Sequence, residues 1–125
     1  MTFSPQAVQA IESFAGNLGV PARAAADGSY SFRFERSGTL TLTSASDGVR
    51  TLVSLATAPL RLNPDVEYRV LSLAGPDATT GRLLSAGVTN EGAAMFAVSI
   101  DDGEMSLPML ETCLQQLMAA GAATS

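Results

Sequence analysis

The chain has no histidine, no tryptophan and no lysine, and it carries a single cysteine. Each absence removes a class of chemistry. Without histidine, the Ser–His and Cys–His pairings that activate a nucleophile cannot form. Cys113 therefore has no base beside it, and its place between Thr112 and Leu114 in an apolar stretch reads as a packing residue. One cysteine also excludes an intrachain disulfide, which fits a reducing compartment. Without lysine there is no Gly-Lys-Ser/Thr phosphate loop, and "GRLLSAG" at 81–87 does not stand in for one. Metal ligation falls to carboxylates alone. The best group, "DDGE" at 101–104, lacks the long alternating acidic loop of a calcium site and reads as a solvated turn. The carboxylate pairs Asp101–Asp102 and Asp65–Glu67 fall on a turn and a helix start, where capping and solubility account for them. No catalytic residue, cofactor or metal is expected.

Charge is also scarce. Charged residues make up 15% of the chain against 46% hydrophobic ones, and the net charge is −5. An acidic chain repels phosphate backbones, so nucleic acid is not expected as a partner; the charge reads first as solubility, and it suits a basic or polar partner better than an anionic membrane surface. So few charges over so many apolar residues leave apolar surface to be shared with another molecule. No run approaches the roughly 18 apolar residues of a membrane span, so no membrane insertion is expected. The opening "MTFSPQAVQAIESF" has no arginine before Arg23 and no apolar core, unlike a secretory signal. The expected location is the cytoplasm.

What is present is a clear alternation of periods. At 125 residues the chain reads as a single domain, burying roughly two-thirds of its unfolded surface. "FSPQAVQAIESFAGNLGVP" opens with a Ser4 cap and Pro5 at the first helical position, and stops at Gly19 and Pro21. Val8, Ile11, Phe14, Ala15 and Leu18 form its apolar stripe. "YSFRFERSGTLTLTS" changes to period two, with Ser37-Gly38 as a turn between two strands. "SASDG" at 44–48 reads as a second turn, and "VRTLVSLATA" as a third strand. "LNPDVEYRVLSLAGP" is a short helix capped by Asn63, with Val66, Val70 and Leu73 on one face, Tyr68 and Leu71 wider of it, and Gly75-Pro76 as its stop. Two more strands flank "NEG" at 90–92. The last helix begins after Ser106, with Leu110, Leu114 and Leu117 as its main stripe and Leu107, Cys113 and Met118 flanking. Residues 1–2 and about 119–125 read as frayed ends.

The expected order is α-β-β-β-α-β-β-α: an α+β fold of three helices on an antiparallel, five-stranded sheet. The Met and Leu residues of the last helix, with Met105 before it, make an apolar belt wider than a small core needs.

Element order and local sequence together resemble the class I chaperones of type III secretion, the family that includes the Tir chaperone. The residues that carry the likeness are "IESFAGNLGVP" at 11–21, the aromatic strand "YSFRFE" at 30–35, and the close "TNEGAAMFAVSIDDGEMSLPMLETCLQQL" at 89–117. The resemblance implies a cytoplasmic homodimer without enzymatic activity. It would bind an extended segment near the N-terminus of a secreted effector and keep that effector stable and secretion-competent. By position, it implies effector pockets from Val8, Ile11, Phe34, Leu40 and Leu42. It places Val66, Val70, Leu73 and Leu83 at the dimer interface, and for each of these pocket and interface residues the alternative is a place in the core. The middle helix is short and is followed by "GPDATTG", a departure from the family pattern. Two other readings fit the composition: a small ligand-binding α+β domain, and a regulatory adaptor for a folded partner.

Overall fold

A computed structural model describes residues 3–45, 49–57, 63–77 and 81–124. The turn expected at 44–48 and the loop at 75–81 therefore lie partly outside the described residues. The elements are α1 (Pro5–Leu18), β1 (Tyr30–Phe34), β2 (Gly38–Ser44), β3 (Arg50–Ala56), α2 (Pro64–Ser72), β4 (Gly75–Pro76), β5 (Leu83–Val88), β6 (Ala94–Asp101) and α3 (Leu107–Ala123). "DDGE" is a turn, a short 3-10 segment over Asp102–Glu104.

The three helices start in the same way. Ser4, Asn63 and Ser106 each accept a hydrogen bond from the backbone N–H three residues on, at 3.1, 2.9 and 3.2 Å. A proline in the first or second position follows each cap. The side chain satisfies a donor that the helix cannot, and proline removes another. Helix α1 ends at Gly19, whose φ of 74° is the left-handed conformation that a β-carbon disfavours.

The sheet is antiparallel throughout, in the order β1-β2-β3-β6-β5-β4. The described residues thus make six strands where the sequence reading expects five. The extra strand is Gly75–Pro76, paired with Leu84 and Leu83. Glycine at φ 134° turns the chain out of α2, and proline, lacking an N–H, is tolerated because the strand is at the sheet edge. Two residues carry no alternation, so only the pairing partner reveals this strand.

One sheet face carries the core. Phe32, Leu40, Leu42, Val53, Leu55, Phe96, Val98 and Ile100 point into it and are buried. Alternation along each strand delivers this face, because successive side chains point to opposite sides. Helix α1 covers it with Ile11, Phe14 and Ala15, and α3 with Leu110, Cys113 and Leu117. Phe14 meets Phe32 edge to face, with ring centroids 5.6 Å apart. In α3, Cys113 takes the core position and Leu114 is only partly buried. The helix also runs on to Ala123, with Ala120 buried, where the sequence reading expects a frayed tail. Alanine has the highest helix propensity, so this stretch extends the helix as soon as the sheet offers a surface.

Candidate partner-binding surfaces

Strand β1 is one edge of the sheet. Its outer side is bridged once, where Ala24 pairs with Tyr30, and beyond Tyr30 it pairs with no strand among the described residues. The chain leaving α1 diverges here, because Pro21 cannot donate to β1. The gap is a recess of about 240 Å³ lined by Leu18, Val20, Pro21, Phe32 and Phe34, with Ser31 and Arg33 at its rim. Val20 is 43% exposed. Open backbone and an apolar hole thus lie side by side. Asp27 stabilises the loop that returns to β1: its Oδ1 accepts from the Ser29 hydroxyl at 2.7 Å and the Ser29 N–H at 3.0 Å. The bond from the Ser29 hydroxyl, followed by that from its N–H, lowers the Asp27 carboxyl below its usual value.

A second surface lies at the other end of the sheet, where α2 packs against β5. Tyr68 is 76% exposed, Leu71 53% and Leu83 64%. Tyr68 and Leu71 stand on the side of α2 away from buried Val70, and Leu83 points off the sheet face opposite the core. Behind α2, Leu73, Leu84, Gln116 and Ala120 line a recess of about 280 Å³.

Of the residues the resemblance assigns to effector pockets, Phe34 lines the β1 recess and Val8 is partly exposed. Ile11, Leu40 and Leu42 are fully buried, so in this protomer they hold the sheet and α1 together and have no surface to offer. Of those assigned to the dimer interface, Leu83 is exposed, and Val66 and Leu73 are half-buried against the core. Val70 is fully buried beneath α2. Leu18, Val20 and Pro21 of the recess, and Tyr68 and Leu71 of the α2 surface, lie outside the residues that the resemblance assigns. The signal for the latter was in the sequence: two large apolar residues on the polar side of a short amphipathic helix.

Among the described residues no group of three or more potential ligands could hold a metal. No helix there is long and apolar enough to cross a membrane. Burial raises the Cys113 thiol above its usual value, with Arg82 opposing the shift and Glu104 adding to it, so the thiol is the reverse of an activated nucleophile.

The family model described as type III secretory system chaperone SycN matches residues 7–123, nearly the whole chain. The chain belongs to that family. It is a chaperone family and not an enzyme family, which accounts for surfaces without a catalytic centre. No curated protein sequence matches the chaperone. Its fold is similar to solved structures. It resembles the Yersinia pestis type III secretion chaperone SycH in complex with a stable fragment of YscM2, with TM-score 0.71 and 14% identity over 94% of this chain and 98% of that one. It is also similar to a chain of the ExsC–ExsE complex, with TM-score 0.74 and 17% identity over 97% and 92%. A third similar structure is the HopA1–SchA chaperone–effector complex, with TM-score 0.69 and 18% identity over 94% and 91%. At these identities the likeness speaks for the fold.

Proposed function

We propose that this chaperone binds an extended segment near the N-terminus of a secreted effector in the cytoplasm, and that it works as a homodimer. The observation that carries the reading is the apolar recess beside the unpaired edge of β1. An extended segment added to a sheet edge gains backbone hydrogen bonds, and its alternate side chains point into pockets. Phe34, Leu18 and Val20 would receive one such side chain, with Val8 on α1 as a further contact. Ile11, Leu40 and Leu42 act one layer below, by keeping α1 and β1 in place.

The homodimer reading rests on α2 and β5. Tyr68, Leu71 and Leu83 are exposed large apolar side chains, and covering them removes apolar area from water. Val66 and Leu73 would lie at the margin of that seam, and Val70 supports it from beneath.

The test is affinity capture from the native secreting cell, followed by truncation of whatever is captured. The expected result is one secreted protein, retained by its N-terminal fragment alone and lost with Phe34→Asp. Light scattering on the purified chain should give twice the protomer mass. Capture of a small molecule and no protein would overturn the effector reading. A dimer mass unaffected by Leu83→Asp would overturn the seam.

A further inference from the structure

The chain is acidic overall, yet the neighbourhood of the β1 recess is not. Residues 19–38 hold Arg23, Arg33 and Arg36 against Asp27 and Glu35, so this stretch is net positive by one while the whole chain is −5. The three arginines are exposed, and none makes an ion pair with a described residue. Arg33 lines the recess itself. Arg23 lies just beyond Pro21 and beside the Ala24–Tyr30 bridge, and Arg36 lies just beyond Phe34. One of the two carboxylates of this stretch, Asp27, already holds the Ser29 hydroxyl and N–H. Glu35, just past the end of β1, lies two residues from Arg33, and the two, with Glu91, line a recess of about 650 Å³ on the sheet face opposite the core.

We infer that the segment docking at β1 carries Asp or Glu residues on either side of the apolar residue that fills the recess. This deepens the effector-binding reading and rests on it. The argument is charge complementarity. The guanidinium groups would otherwise stand unpaired around an apolar hole, and each can take a carboxylate in bidentate geometry. Carboxylate-flanked segments are favoured at the β1 recess, whose lining holds the Arg33 guanidinium and no carboxylate. Lysine-flanked segments, attracted by the chain as a whole, are repelled at this edge. The local preference therefore runs opposite to the net charge, which by itself favours a basic partner.

The probe is a displayed library of random-sequence peptides, panned against the full chain and against three variants: Arg33→Glu/Arg36→Glu, Arg23→Glu and Phe34→Asp. Recovered sequences should place an apolar residue among acidic ones. Their affinity, read by fluorescence anisotropy, should fall about tenfold in the double variant and should weaken with added salt. Thermal melting of the arginine variants should match the parent, because all three side chains are exposed. Peptides without acidic enrichment that bind the double variant equally, but are lost with Phe34→Asp, would overturn the acidic-flank inference. That outcome would leave the effector reading standing. If Phe34→Asp loses no recovered peptide, the recess is not a docking site, and both inferences fall.

Discussion

The hydroxyl of Ser4 lies 2.6 Å from the Asp102 carboxylate, across 98 residues of chain. The same oxygen accepts the Ala7 N–H at 3.1 Å, so one side chain both caps α1 and ties it to the turn that precedes α3. Gln6 adds a second tie, donating from Nε2 to the Met105 carbonyl at 3.0 Å. The two helices that cover the core face are thereby held together at one end. Ser4→Ala should cost about 1–2 kcal/mol, the range of a lost helix cap, read as a lower urea midpoint at constant slope. Asp102→Ala keeps the cap and should cost less. Equal losses in the two variants would mean that the long-range bond, and not the cap, sets the cost.

Gln116 is the reverse case, a polar group that costs stability. Its Nε2 donates weakly to the Arg82 carbonyl at 3.4 Å, while its Oε1 is buried without a hydrogen-bond partner among the described residues. An unsatisfied buried acceptor costs about 1–3 kcal/mol, more than one weak bond returns. Gln116→Met should therefore stabilise the fold by about 0.5–1 kcal/mol, since Leu73, Leu84 and Ala120 line the recess around it. A lower melting temperature in calorimetry would show that the Arg82 bond outweighs the orphaned oxygen.

Leu42 and Phe34 lie one strand apart and should respond differently to charge. Leu42 is fully buried, in register with Tyr30 on one side and Val53 on the other. Leu42→Glu places a carboxylate in the core and should abolish cooperative melting. Phe34→Glu sits at a partly open position and should keep a cooperative transition while removing peptide capture. Circular dichroism melts of the two variants decide this. Cooperative melting of Leu42→Glu would place that side chain outside the core.

Asp27 gives a pH signature. Its carboxyl is held below the usual value by the bond from the Ser29 hydroxyl, then by that from the Ser29 N–H. A lowered folded-state value means that the unfolded chain takes up the proton first as pH falls. The stabilisation is therefore full above about pH 4 and is lost as pH drops through the folded value. Asp27→Asn should remove this part of the acid dependence, read as a flatter curve of urea midpoint against pH below that point. An unchanged curve would mean that the loop bonds make no difference to stability.

The sequence by itself determined the helix starts, the strand alternation and the absence of histidine and lysine chemistry. These are local properties. A Ser-Pro or Asn-Pro step, or a run such as "YSFRF", carries its instruction within a few residues, and a missing residue type is absent in any conformation. Family membership was legible for the same reason, since element order is a property of the chain read end to end.

Only the tertiary structure decided which apolar residues are interior. Leu40 and Phe34 look alike in an alternating pattern. Leu40 lies on β2 between two strands and under a helix, while Phe34 ends an edge strand beside a diverging loop. The same holds for β4, which exists because β5 offers it a hydrogen-bonding partner, and for the end of α3, where alanines remain helical because the chain has a core to cover. Burial and strand pairing are relations between distant parts of the chain, and they follow from which surfaces the fold brings together.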